Sequence, residues 1–310
     1  MGEPAGEGRR AHGTKMQTHE AMGEDTLGNR DFARLAALVY SEAGIRLGPE
    51  KRTMLEARLK RRLRALALDS YARYCDLLFS EEGRGDERIR FIDVVTTNKT
   101  DFFREAGHFD FLAQRALPEW TARGMDRPML LWSAGCSTGE EPYSIAITLC
   151  EALKFAEAWD IEILATDISR RALRQAERGA YSRRSLQEAR PARAESYFEE
   201  TKHGYQVKPR IRRMISFVQM NLADPVYVGK IDVIFCMNVL MYFSEERRLA
   251  ILRRFYDALE PGGYFLLGHA ETLTNAPVKF EPVVLGDCRI YRKPGAVESR
   301  RAPAMAEGAL

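Results

Sequence analysis

The sequence predicts an α/β domain built on a doubly wound sheet and preceded by a small all-helical domain. From residue 129 onward, short apolar runs alternate with amphipathic helical stretches, the pattern of a mostly parallel sheet covered by helices. Before that point, residues 31–95 carry helical periodicity alone. The first apolar run, Leu130-Leu-Trp-Ser-Ala-Gly135, breaks into a glycine turn and resumes as a helix at Glu140.

Residues 1–28 are rich in Gly, Glu, Arg and His with no apolar period, so burial cannot offset the entropy of ordering them and a disordered tail is expected. The helical domain is assigned to residues 29–117. Its first helix places Phe32, Leu35, Ala36 and Val39 on one face, with Asp31 as cap and Gly44 as stop. A second helix after Pro49 buries Leu55, Leu59, Leu63 and Leu66. Its outer face carries Lys51, Arg52, Arg58, Lys60, Arg61, Arg62 and Arg64, either as a solvated surface or as a docking surface for an acidic partner. Ser70 caps a third helix through Tyr71, Tyr74, Leu77 and Leu78, and a fourth runs through Phe91, Ile92 and Val95. The run Thr96-Thr-Asn-Lys-Thr100-Asp-Phe-Phe-Arg104-Glu favours turns, because these polar side chains compete for backbone hydrogen bonds. It reads either as a helix start over a buried Phe pair or as the lining of a ligand site.

The α/β domain is assigned to residues 118–293. Strands are predicted at 129–132, 161–165, 215–219, 231–236, 264–267, 278–284 and 288–292, the last two as an antiparallel hairpin around Gly286. Helices are predicted at 140–153, at 170–177 between Ser169 and Gly179, and from Ser244 to the stop Pro261-Gly-Gly. An insertion at 181–213, too long for an ordinary connection, reads as a small antiparallel β-subdomain. Residues 294–310 form a second polar tail. Ligands of such sheets bind outside the carboxyl ends of the strands, where Asp167 and Asn238 fall.

Composition narrows the function. The chain is 45% hydrophobic, ordinary for a globular protein, and no apolar run reaches the ~20 residues of a membrane span. The five cysteines are widely spaced and odd in number, which points to reduced thiols in the cytoplasm; neither a disulfide framework nor a metal site is expected. A net charge of +3 does not argue for nucleic acid.

The glycine turn is not G-x-G-x-x-G, and Glu140 and Glu141 stand where a pyrophosphate would need positive potential. Gly135 and Gly139 let the backbone approach a ligand closely, so the loop suits a cationic nucleoside such as S-adenosylmethionine.

Together, Thr97-Asn-Lys-Thr-Asp-Phe-Phe-Arg104-Glu, Trp132-Ser-Ala-Gly-Cys-Ser-Thr-Gly-Glu-Glu-Pro-Tyr-Ser-Ile145, Ala165-Thr-Asp167-Ile, Asn221-Leu222, Phe235-Cys-Met-Asn238-Val and Gly268-His-Ala-Glu271 resemble the CheR family, the bacterial chemoreceptor glutamate methyltransferases. The resemblance runs in order from about residue 30 to 293. It implies the S-adenosylmethionine-dependent methyltransferase fold, a seven-strand sheet with a terminal antiparallel hairpin. It also implies methyl esters made on glutamates of the chemoreceptor cytoplasmic helical domain, with S-adenosylhomocysteine as product and a monomeric enzyme. Carried over by position, Asn98, Thr100 and Arg104 line the cofactor site, Glu141 and Asp167 hold polar groups of the cofactor, and Asn221, Leu222, Asn238 and Val239 pack along the adenosine. A carboxylate suits vicinal ribose hydroxyls because it accepts from both. Arg104 and Tyr242 are expected to place the substrate carboxylate; His269 reads either as a hydrogen-bonding support behind the site or as a structural histidine. Met237 departs from the pattern, since relatives commonly have Arg there.

Three other functions compete with this one. A nucleic-acid base methyltransferase is disfavoured because the Asn238 segment lacks an Asp/Asn-Pro-Pro-aromatic box and no aromatics interleave the basic helix. The loop spacing disfavours a nicotinamide oxidoreductase. The remaining alternative is a catalytically weakened S-adenosylmethionine-binding regulatory module. In part of the family the β-subdomain captures a receptor C-terminal peptide as an added strand. Here Glu199-Glu-Thr-Lys-His-Gly204-Tyr-Gln-Val207 is short, with Gly204 alone at the turn, so a tether-independent enzyme is expected.

Overall fold

The computed structural model describes residues 26–124, 127–153, 159–187, 195–225 and 228–295; the tail expectations for 1–25 and 296–310 lie outside these. Four helices open the chain: α1 (Asn29–Ala43), α2 (Arg52–Ala65), α3 (Tyr71–Phe79) and α4 (Asp86–Val95). Leu35, Val39, Leu55, Leu59, Tyr74, Leu78 and Phe91 pack them together, each at zero exposure. Ser70 caps α3 by accepting the Arg73 N–H, and Gly44 ends α1 at φ 71°.

Three local expectations shift. Helix α1 starts two residues earlier than Asp31, with Gly28 at its cap; Asp31 lies in the first turn, where its charge complements the helix dipole, and it pairs with Arg34 at 3.2 Å. The helical domain also takes in residues before 29. Leu27 is 1% exposed and its N–H donates to Glu56 Oε1.

The third shift concerns the basic face of α2, which is not uniformly solvated. Arg62 forms a two-pronged pair with Glu87, Nε at 3.0 Å, and Tyr74 donates to the same carboxylate at 2.9 Å. Arg58 turns onto the carbonyls of Val95 and Thr96 and the Thr97 hydroxyl. Lys60, Arg61 and Arg64 remain exposed.

Helices α5 (Gly107–Phe111) and α6 (Leu117–Ala122) flank a π-helical turn at Leu112–Ala116. The sequence places the end of the helical domain at residue 117, but the buried side chains from Phe102 to Trp120 belong to the core of the sheet, while the first four helices share a separate core ending at Val95.

The sheet contains β1 (Met129–Ala134), β2 (Ile161–Asp167), β6 (Ile215–Gln219), β7 (Ile231–Cys236), β8 (Leu259–Leu267), β9 (Glu281–Val283) and β10 (Arg289–Arg292). Their order is β6-β2-β1-β7-β8-β10-β9; the first five are parallel, and β10 runs antiparallel to both its neighbours, β8 and β9. Crossovers run through α7 (Glu140–Ala152), α8 (Arg170–Arg178) and, between β7 and β8, a long helix capped by Ser244. That helix ends at Ala258, so Pro261-Gly262-Gly263 lies inside β8 rather than stopping the helix. The pairing with β7 shifts register there, and a Cβ on Gly263 would come within 2.9 Å of the Asp232 carbonyl.

The insertion forms a three-stranded antiparallel sheet, β3 (Ala180–Tyr181), β5 (Gly204–Val207) and β4 (Phe198–Thr201) in that order. Two short helices, α9 (Arg183–Gln187) and α10 (Pro209–Arg212), flank it, and the long helix Glu245–Ala258 is α11. Phe102 sits edge-on to Tyr181 at 4.9 Å and to Phe198 at 5.4 Å, joining the subdomain to the main core.

Candidate active site

The helical domain rests against the carboxyl ends of β1, β2 and β7 and encloses a cavity of about 330 Å3. Two main-chain links hold this arrangement: the Arg46 N–H donates to the Tyr242 carbonyl at 3.0 Å, and Ile45 bridges Phe243. A side-chain link reinforces them, because buried Asp93 on α4 accepts from Ser169 Oγ at 2.7 Å and from the Arg171 N–H at 3.2 Å, at the start of α8.

Between β1 and α7 the backbone passes through left-handed conformations at Gly135, Ser137 and Gly139, with φ of 88°, 51° and 98°. Gly135 lines the cavity, and a Cβ there would reach 2.5 Å from Val239 Cγ2. Gly139 does not serve ligand approach as expected. Its missing Cβ makes room for Ala176 and the Tyr181 hydroxyl, each 2.8 Å from where the Cβ would stand, so packing requires this glycine.

Asp167, at the end of β2, pins the loop. Its Oδ2 accepts the Ser137 N–H and its Oδ1 the Ser169 N–H, both at 2.8 Å. Burial pushes this carboxyl up while the two N–H donors pull it down. Each oxygen keeps a further lone pair for a ligand. Glu141, in the first turn of α7, also lines the cavity and accepts from Ser133 Oγ at 2.6 Å; burial pushes it up to about 7. Glu140 is likewise pushed up to about 7 by burial, but Thr138 Oγ1 holds it at 2.6 Å and it is not part of the lining, so only one glutamate of the pair faces the cavity.

The segment from Thr96 to Arg104 is a lining and not a helix start, since α5 begins only at Gly107. Asn98, Thr100 and Arg104 all reach the cavity. Phe102 is buried in the core, whereas Phe103 is half-buried at φ 53° with its N–H on Ser144 Oγ. Asn238 takes φ 62°, and Glu271 holds it there: Oε2 accepts the N–H groups of Asn238 at 2.7 Å and Gly268 at 3.1 Å, while Oε1 accepts that of Met241 at 3.2 Å. The Asn238 amide donates to Glu105 Oε1 at 3.2 Å.

Asn221 and Leu222, after β6, line the cavity beside Val239 and Tyr242. Asn221 donates to the Glu42 carbonyl and to Asp224 Oδ1, each at 3.0 Å, so its amide NH2 holds the loop onto α1. Every site residue expected from the sequence, catalytic or cofactor-binding, thus lines one cavity. His269 lies outside it, half-exposed, with its N–H on Glu105 Oε2 at 3.1 Å.

Sequence reasoning missed several lining residues. Ile45, Leu47 and Met54 close the cavity from the helical domain, and Ser137 and Met241 complete it. Met54 has an ordinary helical spacing and Ile45-Arg-Leu47 an ordinary connection, so no local signal marks them. Glu271 was legible only as a motif letter; its three backbone bonds depend on the tertiary fold.

The cavity suits S-adenosylmethionine. Glu141 and Asp167 are the residues that could hold it, since carboxylates suit a sulfonium, an ammonium and ribose hydroxyls. Two lining residues also carry a buried polar atom with no hydrogen-bond partner, Asn98 Nδ2 and Ser137 Oγ. Leaving such an atom unpaired costs about 1–3 kcal/mol, which a polar ligand recovers.

Comparison with known proteins agrees. The family model "CheR methyltransferase, SAM binding domain" matches residues 98–286, and "CheR methyltransferase, all-alpha domain" matches residues 30–96. The chemotaxis protein methyltransferase of Salmonella typhimurium is 39% identical over 82% of this chain and 88% of its own length. The Escherichia coli protein of the same description is 38% identical over the same shares, and the probable chemotaxis protein methyltransferase of Rhizobium etli is 37% identical over 76% of this chain and 90% of its own.

Proposed function

The chain belongs to the CheR methyltransferase family, with S-adenosylmethionine as cofactor, and we propose that it esterifies glutamate side chains on the cytoplasmic helical domain of chemoreceptors. The observation that supports this reading is the make-up of one cavity, which joins two buried carboxylates to a guanidinium and a phenol, Arg104 and Tyr242. The carboxylates suit the cofactor; the other pair suits an anionic substrate group.

A substrate glutamate, with pKa about 4.3, is already ionised near neutral pH, so the site needs no general base. When bound, S-adenosylmethionine, held by Glu141 and Asp167, would supply an electrophilic methyl group to a carboxylate oxygen and leave as S-adenosylhomocysteine. The work of the protein is placement. Arg104 and Tyr242 orient the carboxylate by hydrogen bonds, and Phe109 and Met237 exclude water with apolar surface. Orientation contributes up to about 7–11 kcal/mol in favourable intramolecular models. A full ion pair with Arg104 would lower the nucleophilicity of the oxygen, so one hydrogen bond per oxygen serves better than a closed fork.

The receptor helix docks through the exposed cations of α2, namely Lys60, Arg61 and Arg64, next to the cavity wall that α2 contributes through Met54. In this reading the protein acts as a cytoplasmic monomer on a protein substrate and not on nucleic acid; no described helix is long and apolar enough to cross a membrane. Incubation with methyl-labelled S-adenosylmethionine and a purified receptor signalling domain tests the proposal. The expected result is label on receptor glutamates, released by mild base as an ester. Cofactor binding without transfer would instead favour the regulatory module, and loss of both would overturn the reading.

A further inference from the structure

Away from the cavity, three side chains remote in sequence converge. One ring nitrogen of His108, one of His269 and the Cys288 thiol all lie within 4.8 Å of one another. The two imidazoles are 5.7 Å apart between centroids and tilted by 33°. Gly107 admits the sulfur, since a Cβ there would stand 2.4 Å from Cys288 Sγ. None of the three lines the cofactor cavity.

His108 has the surroundings of a metal ligand. It is fully buried, and its Nδ1 sits 3.2 Å from the Glu105 carbonyl, the kind of bond that fixes the tautomer of a metal-binding imidazole. Its Nε2 is buried without a well-formed hydrogen bond. The Glu105 carboxylate stands beside both rings, Oε2 being 3.7 Å from His108 Nδ1 and 3.5 Å from His269 Nε2. Glu105 itself is held at φ 59°, a backbone conformation that costs an ordinary residue about 1 kcal/mol or more.

We propose that His108, His269 and Cys288 bind a divalent ion of the zinc class, with a fourth position open to solvent beside His269. Two imidazoles and a thiolate match the borderline softness of such ions and exclude magnesium or calcium. With metal–nitrogen bonds of about 2.0–2.1 Å and a metal–sulfur bond of about 2.3 Å, the three atoms must draw together by roughly 1 Å. His269 and Cys288, neither of them buried, are the side chains that can move. Cys288 releases its thiol proton to solvent and gives its sulfur lone pair to the ion; no electron transfer is involved. The ion would tie α5 and the turn before β10 to the Gly268–Glu271 loop that holds Asn238, so it stiffens the cavity wall from outside.

The test uses the full chain, stripped of metal by a chelator and titrated with Co2+ and then Zn2+. We expect one Co2+ per chain with a thiolate-to-cobalt charge-transfer band, displacement of that band by Zn2+, and a higher Tm with metal bound. Cys288→Ser should abolish the band and weaken Zn2+ binding by at least about 100-fold, beyond the usual loss for an outer partner. His269→Ala, at a half-exposed position that should not disturb folding, should weaken binding similarly. Absence of a saturable band in the wild type, or a band that survives both substitutions, would overturn the proposal.

Discussion

Asp167 Oδ2 accepts the Ser137 N–H at 2.8 Å, so the carboxylate at the end of β2 shapes the glycine loop as well as facing the cavity. Removing it therefore acts twice. Asp167→Ala should lower S-adenosylmethionine affinity by about 10–100-fold, as loss of charge-assisted hydrogen bonds implies, and should also lower Tm by freeing the Ser137 and Ser169 N–H groups. Calorimetric titration beside a thermal melt checks both, and undiminished affinity would remove Asp167 from the site.

Arg104→Ala should reduce turnover by about 100-fold with a much smaller change in cofactor affinity, since misplacing a reacting group costs that order of rate. Initial-rate kinetics on receptor domain give the split; an unchanged kcat would mean that another group holds the substrate carboxylate.

Arg62→Ala and a double reversal Arg61→Glu/Arg64→Glu should fail differently. The first leaves Glu87, 7% exposed, with the Tyr74 hydroxyl but without its two-pronged guanidinium, and should cost about 3 kcal/mol in urea unfolding. The second should leave stability within about 0.5 kcal/mol while raising KM for receptor, an effect that added salt diminishes. Equal KM values at low salt would reduce this face of α2 to a solvated surface.

Burial raises Glu141 from 4.5 to about 7, so folding favours its protonated form below about pH 7. For a raised pKa the stabilising contribution is complete below about 4.5 and is lost as pH rises through about 7. Glu141→Gln should flatten only part of the fall in urea midpoint of the ligand-free protein between about pH 5 and about pH 8, because Glu140 adds a similar slope of its own. A cationic ligand favours the ionised form, so S-adenosylmethionine affinity should rise across the same range in wild type and in Glu140→Gln, but not in Glu141→Gln. Parallel profiles in all three would sever Glu141 from the cofactor.

The edge strand β4 is short and places Glu199 and Glu200 on exposed positions, a poor template for an added strand. A receptor C-terminal peptide should show no saturable binding; micromolar binding that maps to residues 199–213 would contradict a tether-independent enzyme.

Much of this molecule was legible in the chain because the signals are local. Strands Ile215–Gln219 and Ile231–Cys236 fall where apolar runs place them, Ser70, Ser169 and Ser244 cap the helices that follow, and the residues expected around the cofactor share one cavity. The strands and caps depend on neighbours a few positions away, and Asp167 and Asn238 on their place at strand ends; the other cavity residues came from the family resemblance. What only the tertiary structure decided involves distant partners. On one helix, Arg62 turns inward and Arg61 outward because Glu87 and Tyr74, from α4 and α3, meet one and not the other. Gly139 answers to Tyr181, Asn238 to Glu271, and His108 to His269 and Cys288. Helical and strand periodicity report which face of an element is apolar; they carry no information on which remote side chain completes a buried charge or an unpaired lone pair.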